Sequence, residues 1–165
     1  MGFASILLGE LDREAISTEQ ILLRVPSDKL DWRPHPKSMT LGELAWHIAS
    51  IPATAAKIVE SLRFDVGTAR PAAGRDSNDF VARLHASVAE AHRVIEPYDD
   101  EAISKRVELL RGDEVVHDFS RIAAIRWVML NHSVHHRGQL TVYLRLLDVP
   151  LPAIYGSSAD EKAFG

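Results

Sequence analysis

Between Leu41 and Leu62 the apolar residues Leu41, Leu44, Ile48, Ile51, Ala55, Ile58 and Leu62 alternate strictly at spacings of three and four. That rhythm lays one continuous apolar stripe along an α-helix, and such a stripe is stable only when other elements cover it. The stretch opens on "TLGE", where Thr40 and Glu43 form a capping box that satisfies two otherwise orphaned backbone amides. Pro52 lies inside it and lacks the N–H that would bond the Ile48 carbonyl, which predicts a kink.

Three further stretches read as its partners. A first helix is expected from about Ala4 to Arg24, with Leu7, Leu11, Ala15, Leu22 and Val25 inward, closed by Pro26. The prolines of "PSDKLDWRPHPKSM" then forbid regular structure. After the helix that begins at Thr40, "RFDVGTARPAAGRDS" reads as a crossover through Gly67, Pro71 and Gly74. A third helix is expected over Ser77–Ile95, with Phe80, Leu84, Val88, Ala91 and Ile95 inward. "RVELLRGDEVVHDF" reads either as two short strands around Gly112 or as an extended loop. The fourth helix starts near Ser120 and runs to about Leu147, where "DVPLP" stops it. The predicted fold is an all-α four-helix bundle in one domain over residues 1–165, with a short hairpin or extended loop between helices three and four.

Composition excludes several function classes. The net charge of −4 with no basic cluster argues against nucleic acid or an anionic membrane as main partner. No cysteine is present, so disulfides and Cys-based zinc sites are ruled out. "MGFASILLGELDREA" has no basic n-region and reads as a helix, and no apolar run reaches the length of a membrane span. A cytoplasmic location is the expectation.

"NHSVHHRGQL" carries the densest chemistry, with three histidines within five positions. It is either a polar helix turn or half of a metal site. Counting by threes and fours gives a stripe of Ile122, Ile125, Met129, His132, His136, Gln139 and Tyr143, which is apolar first and imidazole after. His132 and His136, four apart, project from one face roughly 6 Å apart at Cβ, within reach of one divalent ion. An HxxxH pair also occurs on exposed helix faces, so spacing alone leaves both readings open. A third ligand is required, and His47 is the candidate, bordering the core face between Leu44 and Ile51. It could equally be a boundary histidine capped by a backbone carbonyl.

The remaining candidates are weaker. His135 is rotated by about 100° from His136 and is expected to pack against a neighbouring helix or subunit. His85 and His92 read as surface residues of the third helix, while His35 and His117 lie in loops. Gly138 in mid-helix predicts a close helix approach. Arg137 is expected off the seam, paired with a carboxylate or solvated. Gln139 and Tyr143 continue the stripe as substrate-orienting groups or plain helix contacts, and Tyr155, Trp32 and Arg33 could fold over the bundle mouth.

With His47 in "LGELAWHIA" and His132 and His136 in "NHSVHHRGQL", the chain resembles the DinB-like (YfiT-type) superfamily. "DWRPHPKSMTLGELAWHIA" looks like that family's entry into its second helix, and "HSVHHRGQLTVYLRLLDVPLPAIYG" like its last helix and tail. The resemblance implies a four-helix bundle in which His47, His132 and His136 ligate one divalent ion, and frequent homodimers. Family members include thiol-dependent transferases and a thiol-dependent isomerase, so it does not fix the reaction.

Three imidazoles leave open positions on an ion, which is the arrangement of catalytic rather than structural sites. The ion could be zinc, nickel, iron or copper. A metal-dependent transferase joining a low-molecular-weight thiol to an electrophilic small molecule is the favoured reading. The alternatives are a hydrolase using metal-bound hydroxide and a non-catalytic metal- or ligand-binding stress protein. Hydrolysis usually wants a carboxylate base, none lies between His132 and His136, and Glu43 is already used by the capping box.

Overall fold

The computed structural model describes residues 2–68 and 76–163, so Pro71 and Gly74 of the expected crossover lie outside the described residues. The helices are α1 (Phe3–Leu22), α2 (Leu41–Ser61), α3 (Ser77–Ile95), and a single turn α4 (Asp100–Ile103). The last long helix is composite: α5 (Arg121–Ala124), a π-helical stretch (Ile125–Asn131) and α6 (His132–Leu146). Strands β1 (Arg63–Asp65), β2 (Arg106–Arg111) and β3 (Glu114–Ser120) form one sheet in that order.

The all-α expectation is therefore corrected. The fold is predominantly helical with a three-stranded sheet, and of the two readings for residues 106–120 the hairpin holds. Gly112, at φ 60, takes the first position of a two-residue turn, where a positive φ matches the twist of the flanking strands. The third strand was not anticipated: β1 leaves the end of α2 and pairs parallel to β2, with Arg63 opposite Glu108. Leu62 turns the chain at φ 62 and is exposed, so the last residue of the apolar stripe ends the helix instead of packing.

The capping box is present as read: Glu43 N–H donates to Thr40 Oγ1 at 3.1 Å, and Thr40 N–H donates to Glu43 Oε2 at 2.7 Å. Leu41, Leu44, Ile48, Ile51, Ala55 and Ile58 are all buried. The helix continues through Pro52 without ending. Its first half packs with Ile21, Phe80, Leu140 and Leu144, and its second with Leu7, Ile95, Ile125 and Met129. Ile58 also meets Val107 and Leu109, so α2 serves both the bundle and the sheet.

The π-helical stretch changes the phase of everything after it. The buried positions run Ile125, Met129, Ser133, Arg137, Leu140 and Leu144, with three successive spacings of four. A helix of wider turn demands that rhythm. The expected seam of His132, His136, Gln139 and Tyr143 is thus one residue out of register, and the two histidines flank the buried stripe, half-buried, instead of forming it. Leu140 and Leu144, eleven and fifteen residues after Met129, were the available signal.

Gly138 does not mark a close approach within the chain. A Cβ built on it meets nothing within 4 Å. Gly138→Ala is expected to stabilise the protein by about 0.5–1 kcal/mol, because alanine restricts the unfolded chain more than glycine and meets no obstacle. Urea titration of the two proteins measures this, and a destabilised variant would show that the site is crowded after all.

Candidate metal centre

Helix α2 lies against the π-helical stretch and α6, which brings His47 of α2 to His132 and His136 of α6. His47 Nε2 stands 3.4 Å from His132 Nε2, and His132 Nε2 stands 2.7 Å from His136 Nε2. One ring nitrogen from each residue lies within 4.8 Å of the other two. An ion bound to nitrogen at about 2.0–2.1 Å holds neighbouring ligand atoms roughly 3 Å apart, so the observed spacings fit it.

The hydrogen bonds behind the rings argue the same way. His136 Nδ1 is 2.7 Å from Gln139 Oε1, an acceptor, so the ring proton sits on Nδ1. His132, with Nε2 in the cluster, leans on the backbone of Val128, whose carbonyl can only accept. Both Nε2 lone pairs are then aimed into the same small space with no proton between them. Two such lone pairs at 2.7 Å repel, and a cation placed among them turns the repulsion into ligation. The donor set fits a divalent ion.

The protonation states agree. Burial first, then the neighbouring His136 and His132, push the His47 imidazole down to about 4. Burial and the charge that His136 would carry bring His132 down to about 4, against the opposing Val128 hydrogen bond. Burial also lowers His136, partly offset by Gln139. All three rings are neutral at pH 7, the form that ligates.

Gln139 therefore orients the His136 ring and is more than a helix contact. Gln139→Leu is expected to weaken metal affinity about 10–100-fold with stoichiometry unchanged at saturation. Competition with a chelator reads this directly, and wild-type affinity in the variant would remove Gln139 from the site.

Other candidates fall elsewhere. His135 is exposed and stands edge-on to His136 at 4.9 Å between ring centres. Tyr143 donates to the Met39 carbonyl and meets Trp32 edge-on, so both brace the loop before α2. Arg33 is exposed. Tyr155 hydrogen-bonds Arg137 and Glu14, which ties the tail to α6 and α1. Of the two readings for Arg137 the carboxylate pairing holds, with Glu14, but the side chain is buried in that network and not off the core. His85 and His92 are surface partners of Glu19 and Asp12, as expected. His35 lies in the loop, where its Nδ1 accepts from Lys37 N–H, but His117 is in β3, edge-on to Trp127.

Beside the triad lies a cavity of about 590 Å³ that the sequence did not disclose. Thr54 and Ile58 of α2, Phe64 and Val66 after it, Leu109 of β2, and Trp127, Val128, Asn131, His132 and His135 line it. Three different segments build it, which is why no local pattern announced it. His132 belongs to both the triad and the cavity wall.

The sequence model of the DinB family matches residues 3–163. The chain belongs to the DinB family. The uncharacterized protein YrdA of Bacillus subtilis is 26% identical over 155 residues, covering 91% of this chain and 86% of YrdA. The crystal structure of a DinB-like protein from Bacillus cereus superimposes with a TM-score of 0.70 at 21% identity, covering 90% of this chain and 95% of that one. A DinB-like protein from Bacillus subtilis gives 0.67 at 17% identity, covering 88% and 94%. At these identities the structures speak for the DinB fold alone. Among the described residues of this DinB chain, no helix is long and apolar enough to cross a membrane.

Proposed function

We propose that the protein is a divalent-metal-dependent enzyme that transfers a low-molecular-weight thiol to an electrophilic small molecule. The observation that carries this is the convergence of three neutral imidazole nitrogens beside a cavity, with no fourth His, Asp or Glu grouped with them among the described residues. A divalent ion held there supplies Lewis-acid charge that favours a thiol's deprotonated form at neutral pH. His47, His132 and His136 would hold the ion, Gln139 and the Val128 backbone fix the ring orientations, and the apolar cavity walls would receive the electrophile. The thiol sulfur forms a bond to the electrophilic carbon, the leaving group departs with its electron pair, and the thiol proton passes to solvent.

Water is the harder nucleophile to make. Its pKa lies about 7 units above that of a thiol, and hydrolases commonly add a carboxylate base. Glu43 is engaged with Thr40, and no Asp or Glu is among the described residues lining the cavity. This favours the thiol over hydroxide.

Metal-loaded protein is to be assayed by titrating free thiol over time, with several low-molecular-weight thiols and an alkylating electrophile. Thiol consumption lost in His132→Ala and on chelation is the expected result. Tight metal binding without consumption would point to sequestration instead, and turnover independent of thiol would point to hydrolysis.

A further inference from the structure

Resting on the transferase reading, we propose that the cavity beside the triad selects an uncharged electrophile with a sizeable apolar group. The electrophilic atom lies at the His132 end, and the apolar group lies among Ile58, Phe64, Val66, Leu109, Trp127 and Val128.

The lining argues for this chemistry. Six side chains of the wall are apolar, and no Asp, Glu, Lys or Arg is among the described residues that form it. A carboxylate, phosphate or ammonium group lodged at the sheet end would give up its hydration without meeting a counter-charge from the wall, which is strongly unfavourable. A volume of about 590 Å³ falls in the range of small-molecule sites and is larger than a bare thiol or a two-carbon electrophile needs.

The polar residues of the wall are distributed to match. Asn131, His132 and His135 fall within one stretch of helix, and Thr54 stands on α2, the helix that carries His47. The apolar residues Phe64, Val66 and Leu109 come from the sheet side, away from both ligand-bearing helices. A bound molecule therefore meets hydrogen-bonding groups at the end shared with the triad and only hydrocarbon at the other. The strand β1 and the hairpin, which a plain helical bundle would not need, supply that hydrocarbon wall.

Two fluorescent probes that share one ring system test this on metal-free and metal-loaded protein. N-phenyl-1-naphthylamine is neutral, and 8-anilino-1-naphthalenesulfonate adds one sulfonate. The neutral probe is expected to bind one per chain, with the anionic one at least about tenfold weaker. Val66→Asp and Trp127→Ala, at a half-buried and an exposed position, should each weaken the neutral probe on the order of tenfold while metal stoichiometry stays at the wild-type value. Circular dichroism confirms that each variant is folded, and either one suffices. Equal affinity for the two probes, or unchanged neutral-probe binding in a folded variant, would overturn the assignment. Because the readout is binding, a protein that takes the neutral probe as expected but consumes no thiol refutes the transferase reading and leaves the cavity's chemistry standing.

Discussion

His136→Ala is expected to lower divalent-metal affinity by roughly 10²–10³-fold. A four-ligand zinc site contributes roughly 10–16 kcal/mol, about 2.5–4 kcal/mol per ligand, and the substitution removes one of three nitrogens. It also removes the partner of Gln139 Oε1 and one of the two lone pairs that face each other at 2.7 Å. His47→Ala and His132→Ala should do the same, because each supplies one nitrogen to the cluster. Elemental analysis after dialysis measures this: near one ion per chain in the wild type, and a small fraction of that in each variant. Chelated wild-type protein should keep its helical signal, since Leu44, Ile48, Leu140 and Leu144 bury one another without help from the triad. Full metal content in His136→Ala would end the three-histidine site, and unfolding of the chelated protein at room temperature would make the ion structural.

The largest stability effect is expected at Arg137. Its side chain is 2% exposed, and Nη1 donates to the Glu14 carbonyl at 3.0 Å and to Thr18 Oγ1 at 3.2 Å. Nη2 donates to Glu14 Oε2 at 2.5 Å and to the Tyr155 hydroxyl, which in turn donates to Glu14. One guanidinium thus ties α6 to α1 and to the C-terminal tail. Arg137→Ala leaves the Glu14 carboxylate largely covered without its counter-charge, in addition to a void, and should cost about 3–5 kcal/mol. For a chain of this size that lowers Tm by about 6–20 °C. Arg145→Ala, which breaks the exposed pair with Asp160, should cost below about 1 kcal/mol. Equal losses for the two variants by thermal and urea unfolding would show that the buried network does not hold the tail.

Much of this protein was legible in its sequence because the determining rules are local. The three-four rhythm of Leu41–Ile58 commits α2 to helix and names its buried face, and Thr40 with Glu43 marks its start within one residue. Gly112 between two β-prone runs marks the hairpin turn. His47, His132 and His136 stood out because two of them share a helix face and the third borders a core stripe. Tertiary structure decided what no window of sequence contains. The π-helical stretch shifted the register by one residue, which put Arg137 and not His136 into the core, because a single extra residue per turn is invisible to a 3.6-residue count. The parallel pairing of β1 with β2 joins residues more than forty positions apart, and the cavity it helps to wall takes its shape from three separate segments. Short-range propensity fixes which elements form; the distances between nitrogens on different helices, and the space left beside them, exist only once those elements pack.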